Sequence, residues 1–296
     1  MDEFNGRAIE SPLMRKLIVA AALLVAANLS AQIAAGDAEW ALRAEGHEGG
    51  HAKAAHVDAA IAAYEKAVAA NPNDVEARWK LLRTIRFKGA YVATTNDEKK
   101  QIYAKAKTEG EGALALIGRL LAPKGVQSIS KAPEREVAEA AKTVPGADEV
   151  FLWDAINWGE WALAYGKLAA VREGAADRIR REATIAYLID PRLEGGSPPR
   201  VLGRLHDQTP HVIFLTGWVS EKEALRYLNE SLKIDPANKI TRVFLAEAMV
   251  NNDSDTKPQA IQMLREILNT PNDPNYEVEQ AQAVDDARAL LKKWGA

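Results

Sequence analysis

Ala60-Ile61-Ala62-Ala63-Tyr64-Glu65-Lys66-Ala67-Val68-Ala69-Ala70-Asn71-Pro72 is the stretch on which the fold turns. Ala60, Tyr64, Ala67 and Pro72 stand at the offsets used by the second helix of a tetratricopeptide hairpin. Small residues allow two helices to approach closely, the aromatic ring fills the groove between repeats, and proline stops the helix. The same frame returns as Ala224, Leu228, Ser231 and Pro236, with Ser220 and Glu223 spaced as a capping box. A looser copy runs through Ala260, Leu264 and Ile267 to the Pro271–Pro274 turn, and another ends at Tyr187-Leu188-Ile189-Asp190-Pro191. First helices of the hairpins are expected over Val75 to Phe87 and Ile240 to Val250.

Apolar spacing is helical almost throughout, and no alternating β-branched run signals a sheet. Further helices are predicted over 97–121, 133–142, 149–171, 176–189, 198–206 and 277–293. Thr95 and Glu98 would cap the first of these, and Pro133 suits a first helical turn. The segment 207–219 is the largest irregular insertion. The expectation is an all-α, tetratricopeptide-like superhelix of helical hairpins (an α-solenoid), with residues 37–296 as one folded unit.

Composition narrows the function. A net charge of −3 across 296 residues provides no basic field to attract nucleic acid. The absence of cysteine excludes disulfides, thiolate metal sites, cysteine nucleophiles and an acylated cysteine anchor. Met14-Arg15-Lys16 precedes an apolar run, Leu17 to Leu29, and then small residues, the layout of a secretory signal peptide. The reading is a periplasmic or exported protein with an N-terminal extension and leader over residues 1–36, the leader at about 14–36 being cleaved or kept as a membrane anchor.

His47 and His51 would share a face with Glu48 nearby if helical, which could suit a divalent ion. Gly46, Gly49 and Gly50 argue instead for a solvated loop within the first hairpin. His206 and His211 flank Asp207, but no nucleophile turn or phosphate-cradling glycine loop accompanies them. The expectation is therefore a non-enzymatic protein without a cofactor or metal.

Two strings exceed what repeat packing requires. Phe151-Leu152-Trp153-Asp154-Ala155-Ile156-Asn157-Trp158-Gly159-Glu160-Trp161 holds three of the seven tryptophans. Trp153, Asn157 and Trp161 are four apart, either lining an aromatic cleft with an amide donor or filling gaps between hairpins. Trp158 is assigned to packing. Downstream, Gly195-Gly196-Ser197-Pro198-Pro199-Arg200-Val201-Leu202-Gly203-Arg204 places two guanidiniums just inside a helix N-terminus. Arg200 and Arg204 would either grip a carboxylate or pair with Glu194 and Asp207 at the surface. If both faces open on one hollow, the ligand is an amphipathic carboxylate.

Together with the Ser220–Pro236 repeat, these strings resemble the TatT family, the tetratricopeptide T component associated with tripartite ATP-independent periplasmic (TRAP) transporters. Trp153, Asn157, Gly159 and Trp161 match one family motif, and Gly196, Arg200, Gly203 and Arg204 match the other, with an added residue at Ser197-Pro198-Pro199. The resemblance implies a periplasmic helical-repeat protein that pairs with a TRAP-type substrate-binding protein, offers a cavity to a hydrophobic or organic-acid solute, and self-associates. Family members are often anchored through a lipidated cysteine, which this chain lacks. The alternative expectation is a cell-envelope scaffold that docks proteins and binds no ligand.

Overall fold

The computed structural model describes residues 29–213 and 215–296, and among them the fold is all-α. Helix α1 is described over residues 29–41 and continues the small-residue end of the expected leader; residues 1–28 of that leader region lie outside the described residues. Then follow α2 (Ala54–Ala70), α3 (Val75–Phe87), α4 (Asn96–Leu121), α5 (Glu134–Ala141), α6 (Ala147–Tyr165), α7 (Lys167–Arg172) and α8 (Ala175–Ile189). The last third holds α9 (Leu193–Gln208), α10 (Glu221–Ile234), α11 (Lys239–Asn252), α12 (Lys257–Leu268) and α13 (Glu277–Trp294). An isolated bridge joins Glu48 and His51, and no strand forms among the described residues.

The repeat frame works as its spacing demands. Ala60, Tyr64 and Ala67, then Ala224, Leu228 and Ser231, then Ala260, Leu264 and Ile267 are all fully buried. Their i, i+4, i+7 spacing gathers them into one stripe that meets the partner helix of each hairpin. Neighbouring helices pack in order: α2 on α3, α4 on α3 and α6, α6 on α8, α9 on α10, and α11 on both α12 and α13. At Gly36 the approach is so close that a Cβ would sit 2.4 Å from the Tyr64 ring.

Caps set several boundaries. Thr95 and Glu98 form a complete capping box at the head of α4. At α10 only half of the expected box forms: Ser220 accepts from the Glu223 backbone N–H, while the Glu223 carboxylate turns to Arg226 at 2.8 Å. Pro133 stands one place before the first residue of α5, as its N-cap. The single helix expected over 149–171 is broken at Gly166, whose φ of 88° ends α6 and starts α7 at a new angle. A π-helical turn, Lys88–Val92, follows α3. There Gly89 lets the Tyr103 ring close in, a Cβ being only 2.4 Å from it.

The C-terminal helix returns to the beginning of the chain. Val278 is buried in the same cluster as Ala52, Val57, Tyr64 and Phe87 of the first hairpins. Arg43, in the turn after α1, pairs with Glu279 at 3.3 Å, and Gly50 lies against the backbone of Gln282. The polar faces of α3, α6, α9 and α13 thereby come within electrostatic reach of one another.

Candidate functional site

The inward stripe of α6 is Glu149, Trp153, Ile156 and Glu160 rather than the i+4 ladder of the tryptophan string. Each i+4 step rotates by about 40° around a helix, so Trp153 and Trp161 diverge by about 80°. Eleven residues make almost three whole turns, so Glu149 and Glu160 return to within about 20° of each other. Glu160 accepts from Arg86 of α3 at 2.9 Å. Asn157, fully buried, instead donates to the Leu82 carbonyl of α3 at 3.1 Å and to the Trp153 carbonyl at 2.8 Å. Trp161 is buried on the far side against Trp158, stacks on Tyr165 at 4.7 Å, and has Lys107 over its ring. Of the expected aromatic face, Trp153 alone looks inward.

The arginine pair also divides. Arg204 meets Glu247 of α11 at 2.6 Å and Asp207 at 3.1 Å, and its charge is fully matched. Arg200 makes no ion pair with a carboxylate among the described residues. Its Nη1 makes two long contacts, 3.4 Å to the Gly195 carbonyl and 3.3 Å to Thr241 Oγ1. It remains only partly covered at the surface, yet burial and the nearby Arg86 guanidinium push its pKa down to about 10. Its partial exposure leaves the guanidinium open to solvent in a polar recess flanked by Arg86 and Glu194.

Other members of this recess were not anticipated from the sequence. Arg83 of α3 stacks on Trp40 at 4.2 Å and on Trp79 at 4.9 Å; its Nε is buried with no hydrogen-bond partner. Trp153 Nε1 is orphaned in the same way, as is Glu149 Oε2. Burial, the neighbouring Asp148 and the charge of Glu194 push Glu149 up to about 8, so it is largely neutral near pH 7. Glu194 links the group: its charge acts on Arg83, Glu149 and Arg200, and it accepts from Tyr276 Oη at 3.0 Å.

Glu194 is held at φ 46°, with Gly195 at 62° and Gly196 at 77°, so a left-handed turn precedes the regular part of α9. Among the described residues it is the one non-glycine at positive φ. Such a residue carries about 1–2 kcal/mol of strain and marks places where surrounding structure dictates geometry. A sequence signal existed, a glutamate directly before a glycine pair, but it was absorbed into the turn.

The glycines of the second motif explain themselves by packing. At Gly196 a Cβ would stand 3.2 Å from the Ser231 carbonyl, and at Gly203 it would stand 2.6 Å from Leu228 Cγ. Ser231 Oγ donates to the Gly196 carbonyl at 2.9 Å. The motif seats α9 on α10.

The early histidines lie in the loop of the first hairpin, with Glu48 paired to Lys53 at 2.6 Å and His47 Nδ1 2.8 Å from the Gly49 carbonyl. Two open surface grooves are lined by none of the motif residues, one of about 770 Å³ beside Ser254 and Arg265, the other of about 420 Å³ beside His206 and His211, where it borders Arg204 through Asp207. No helix among the described residues is long and apolar enough to cross a membrane. Among known proteins, no family model and no curated protein matches the chain.

Proposed function

We propose that this protein is an exported tetratricopeptide-type accessory of TRAP-type solute uptake. In this reading it pairs with a periplasmic substrate-binding protein and holds an amphipathic organic acid in the recess between α3, α6, α9 and α13. The observation that carries the reading is the guanidinium of Arg200, part-buried and without an ion pair among the described residues. A part-buried guanidinium without a direct ion pair is only partly offset by the more distant charges of Glu194 and Asp235, and a ligand carboxylate would supply a charge-assisted hydrogen bond there. The orphaned donors Arg83 Nε and Trp153 Nε1 extend the same polar end, and the rings of Trp40 and Trp79 give the apolar part a surface.

The resemblance of the tryptophan and arginine strings to TatT proteins supplies the transport context and the partner. Self-association belongs to that context as well. No catalytic group, metal or nucleic acid enters the proposal. The test is native mass spectrometry of the protein purified from its own periplasm, followed by calorimetric titration with aliphatic carboxylates. A retained acid, and its loss in Arg200→Gln, is the expected result.

A cell-envelope scaffold is the second reading, favoured by the structural duties of Asn157, Trp161, Gly203 and Arg204. It predicts no retained small molecule and partner capture that is indifferent to Arg200→Gln.

A further inference from the structure

Large apolar side chains stand in solvent at one end of the α6–α8 pair. Leu163 near the end of α6 is 80% exposed, Leu168 of α7 is 77% exposed and Ile213 of the 209–219 loop is 74% exposed. Val171, Val212 and Leu215 accompany them. Within α7 the order is inverted relative to an ordinary surface helix: Ala169 and Ala170 pack inward against the Trp158–Trp161 cluster, while Leu168 and Val171 face out. The loop belongs to the same end, because Trp218 Nε1 donates to Asp177 in the first turn of α8 at 2.8 Å and Arg180 stacks on the Trp218 ring.

The rim of this patch is basic. Lys167 and Arg172 stand at the two ends of α7, are exposed, and form no ion pair among the described residues. The acids nearby are engaged: Glu173 by Lys107 at 3.1 Å, and Asp177 by Trp218 and Arg180. Tyr165 and Trp218, each with an apolar ring and a polar tip, flank the apolar side chains. Such aromatic residues favour the boundary between headgroups and acyl chains.

We propose that this end of the molecule docks on an anionic bilayer surface, with Leu163, Leu168, Val171 and Ile213 entering the headgroup layer and Lys167 and Arg172 meeting lipid phosphates. A second copy of the chain fits less well. The apolar groups stand on a short helix and an irregular loop rather than on one broad face, and a two-fold contact through α7 would bring Lys167 and Arg172 against their own counterparts. An interfacial site combines shallow apolar insertion with attraction to negative headgroups, and this surface has both.

The full chain contains no cysteine, so a single introduced thiol can be labelled without background. An environment-sensitive fluorophore at Val171→Cys or Ile213→Cys is expected to brighten and shift to the blue with vesicles of phosphatidylcholine and phosphatidylglycerol. The same label at Lys292→Cys, exposed on α13, is expected to stay unchanged. Lys167→Gln with Arg172→Gln should weaken vesicle binding by roughly 30-fold, each lost charge being worth about fivefold. All three substituted regions are exposed, and unchanged thermal melting verifies folding. An absent shift at positions 171 and 213 overturns the proposal. So does an equal shift at position 292, which assigns binding to another segment, or a shift that grows with protein concentration without vesicles, which assigns the patch to contact between copies.

Discussion

Gly203 of α9 lies beneath Leu228 of α10 so closely that a Cβ on the glycine would stand 2.6 Å from Leu228 Cγ and 3.0 Å from the Ala224 carbonyl. Leu228 and Ala224 are both repeat-frame residues and fully buried, so neither has room to yield. Overfilling a packed contact costs about 1–3 kcal/mol. Gly203→Ala is therefore expected to lower the urea midpoint with an unchanged slope. Gly159, also part of a motif, has nothing within 4 Å of where its Cβ would be. There Gly159→Ala should raise stability by about 0.5–1 kcal/mol, the ordinary gain in a helix interior. Opposite signs at two motif glycines would separate close packing from any shared ligand role.

The carboxyl of Asp154 occupies the space that a side chain at position 110 would need, a Cβ at Gly110 falling 1.7 Å from Asp154 Oδ1. Asp154 is fully buried and accepts from Arg178 at 2.9 Å, and Arg178 also grips Glu182 at 2.9 Å. Burial pushes both acids up, Glu182 well above its ordinary range. Asp154→Ala takes a buried acceptor from the part-buried Arg178 guanidinium and should cost about 3 kcal/mol. Glu182→Gln copies the neutral form and should fold almost as well as the parent, as read by chemical denaturation of both variants.

Glu149 gives stability a pH dependence of definite sign. Its folded pKa is raised from 4.5 to about 8, chiefly by burial and then by Asp148. Between those values the folded chain holds a proton that the unfolded chain has released, so its contribution is whole below pH 4.5 and is lost as pH rises through about 8. Glu149→Gln should flatten the melting temperature across that window and leave the variant more stable than the parent at alkaline pH. A parallel offset at every pH would mean that Glu149 does not titrate there.

The helical hairpins were legible because their information is local. Ala60, Tyr64 and Ala67 advertise a buried stripe within eight residues, and Pro72 ends the helix. The recess was only partly legible, because its members are far apart in the chain: Trp40, Arg83, Glu149, Glu194 and Arg200 are brought within reach of one another by the packing of α3 on α6 and α6 on α9. Of the two readings of the Trp153, Asn157 and Trp161 string, packing holds for Asn157 and Trp161, which are buried, because which neighbours cover that part of α6 is set by α3, α4 and α8 and not by the local spacing. Nor does any residue pattern announce that Arg204 pairs with Glu247 while Arg200 makes no ion pair among the described residues, because that depends on where α11 lies across α9.

That division between inward and packed residues makes the last prediction. Arg200→Gln and Arg83→Gln remove charge from the recess without emptying the core, so carboxylate affinity should fall by about 10- to 100-fold, the range for a lost charged hydrogen bond. Arg200→Gln should also leave the melting temperature equal or slightly higher, whereas Arg83→Gln gives up the stacking on Trp40 and Trp79 and should melt lower. Trp153→Phe keeps most of the ring and deletes the orphaned Nε1, so it should weaken binding with little effect on folding. Asn157→Ala and Trp161→Ala should do the reverse. The first strips the Leu82 carbonyl of its donor, and the second empties a buried site beside Trp158, which costs about 3–5 kcal/mol. Titration calorimetry and thermal melting on the same five variants place each residue in one class or the other. A carboxylate that binds equally well to Arg200→Gln and Arg83→Gln would leave the recess without its proposed ligand, and the helical hairpins would then serve protein docking alone.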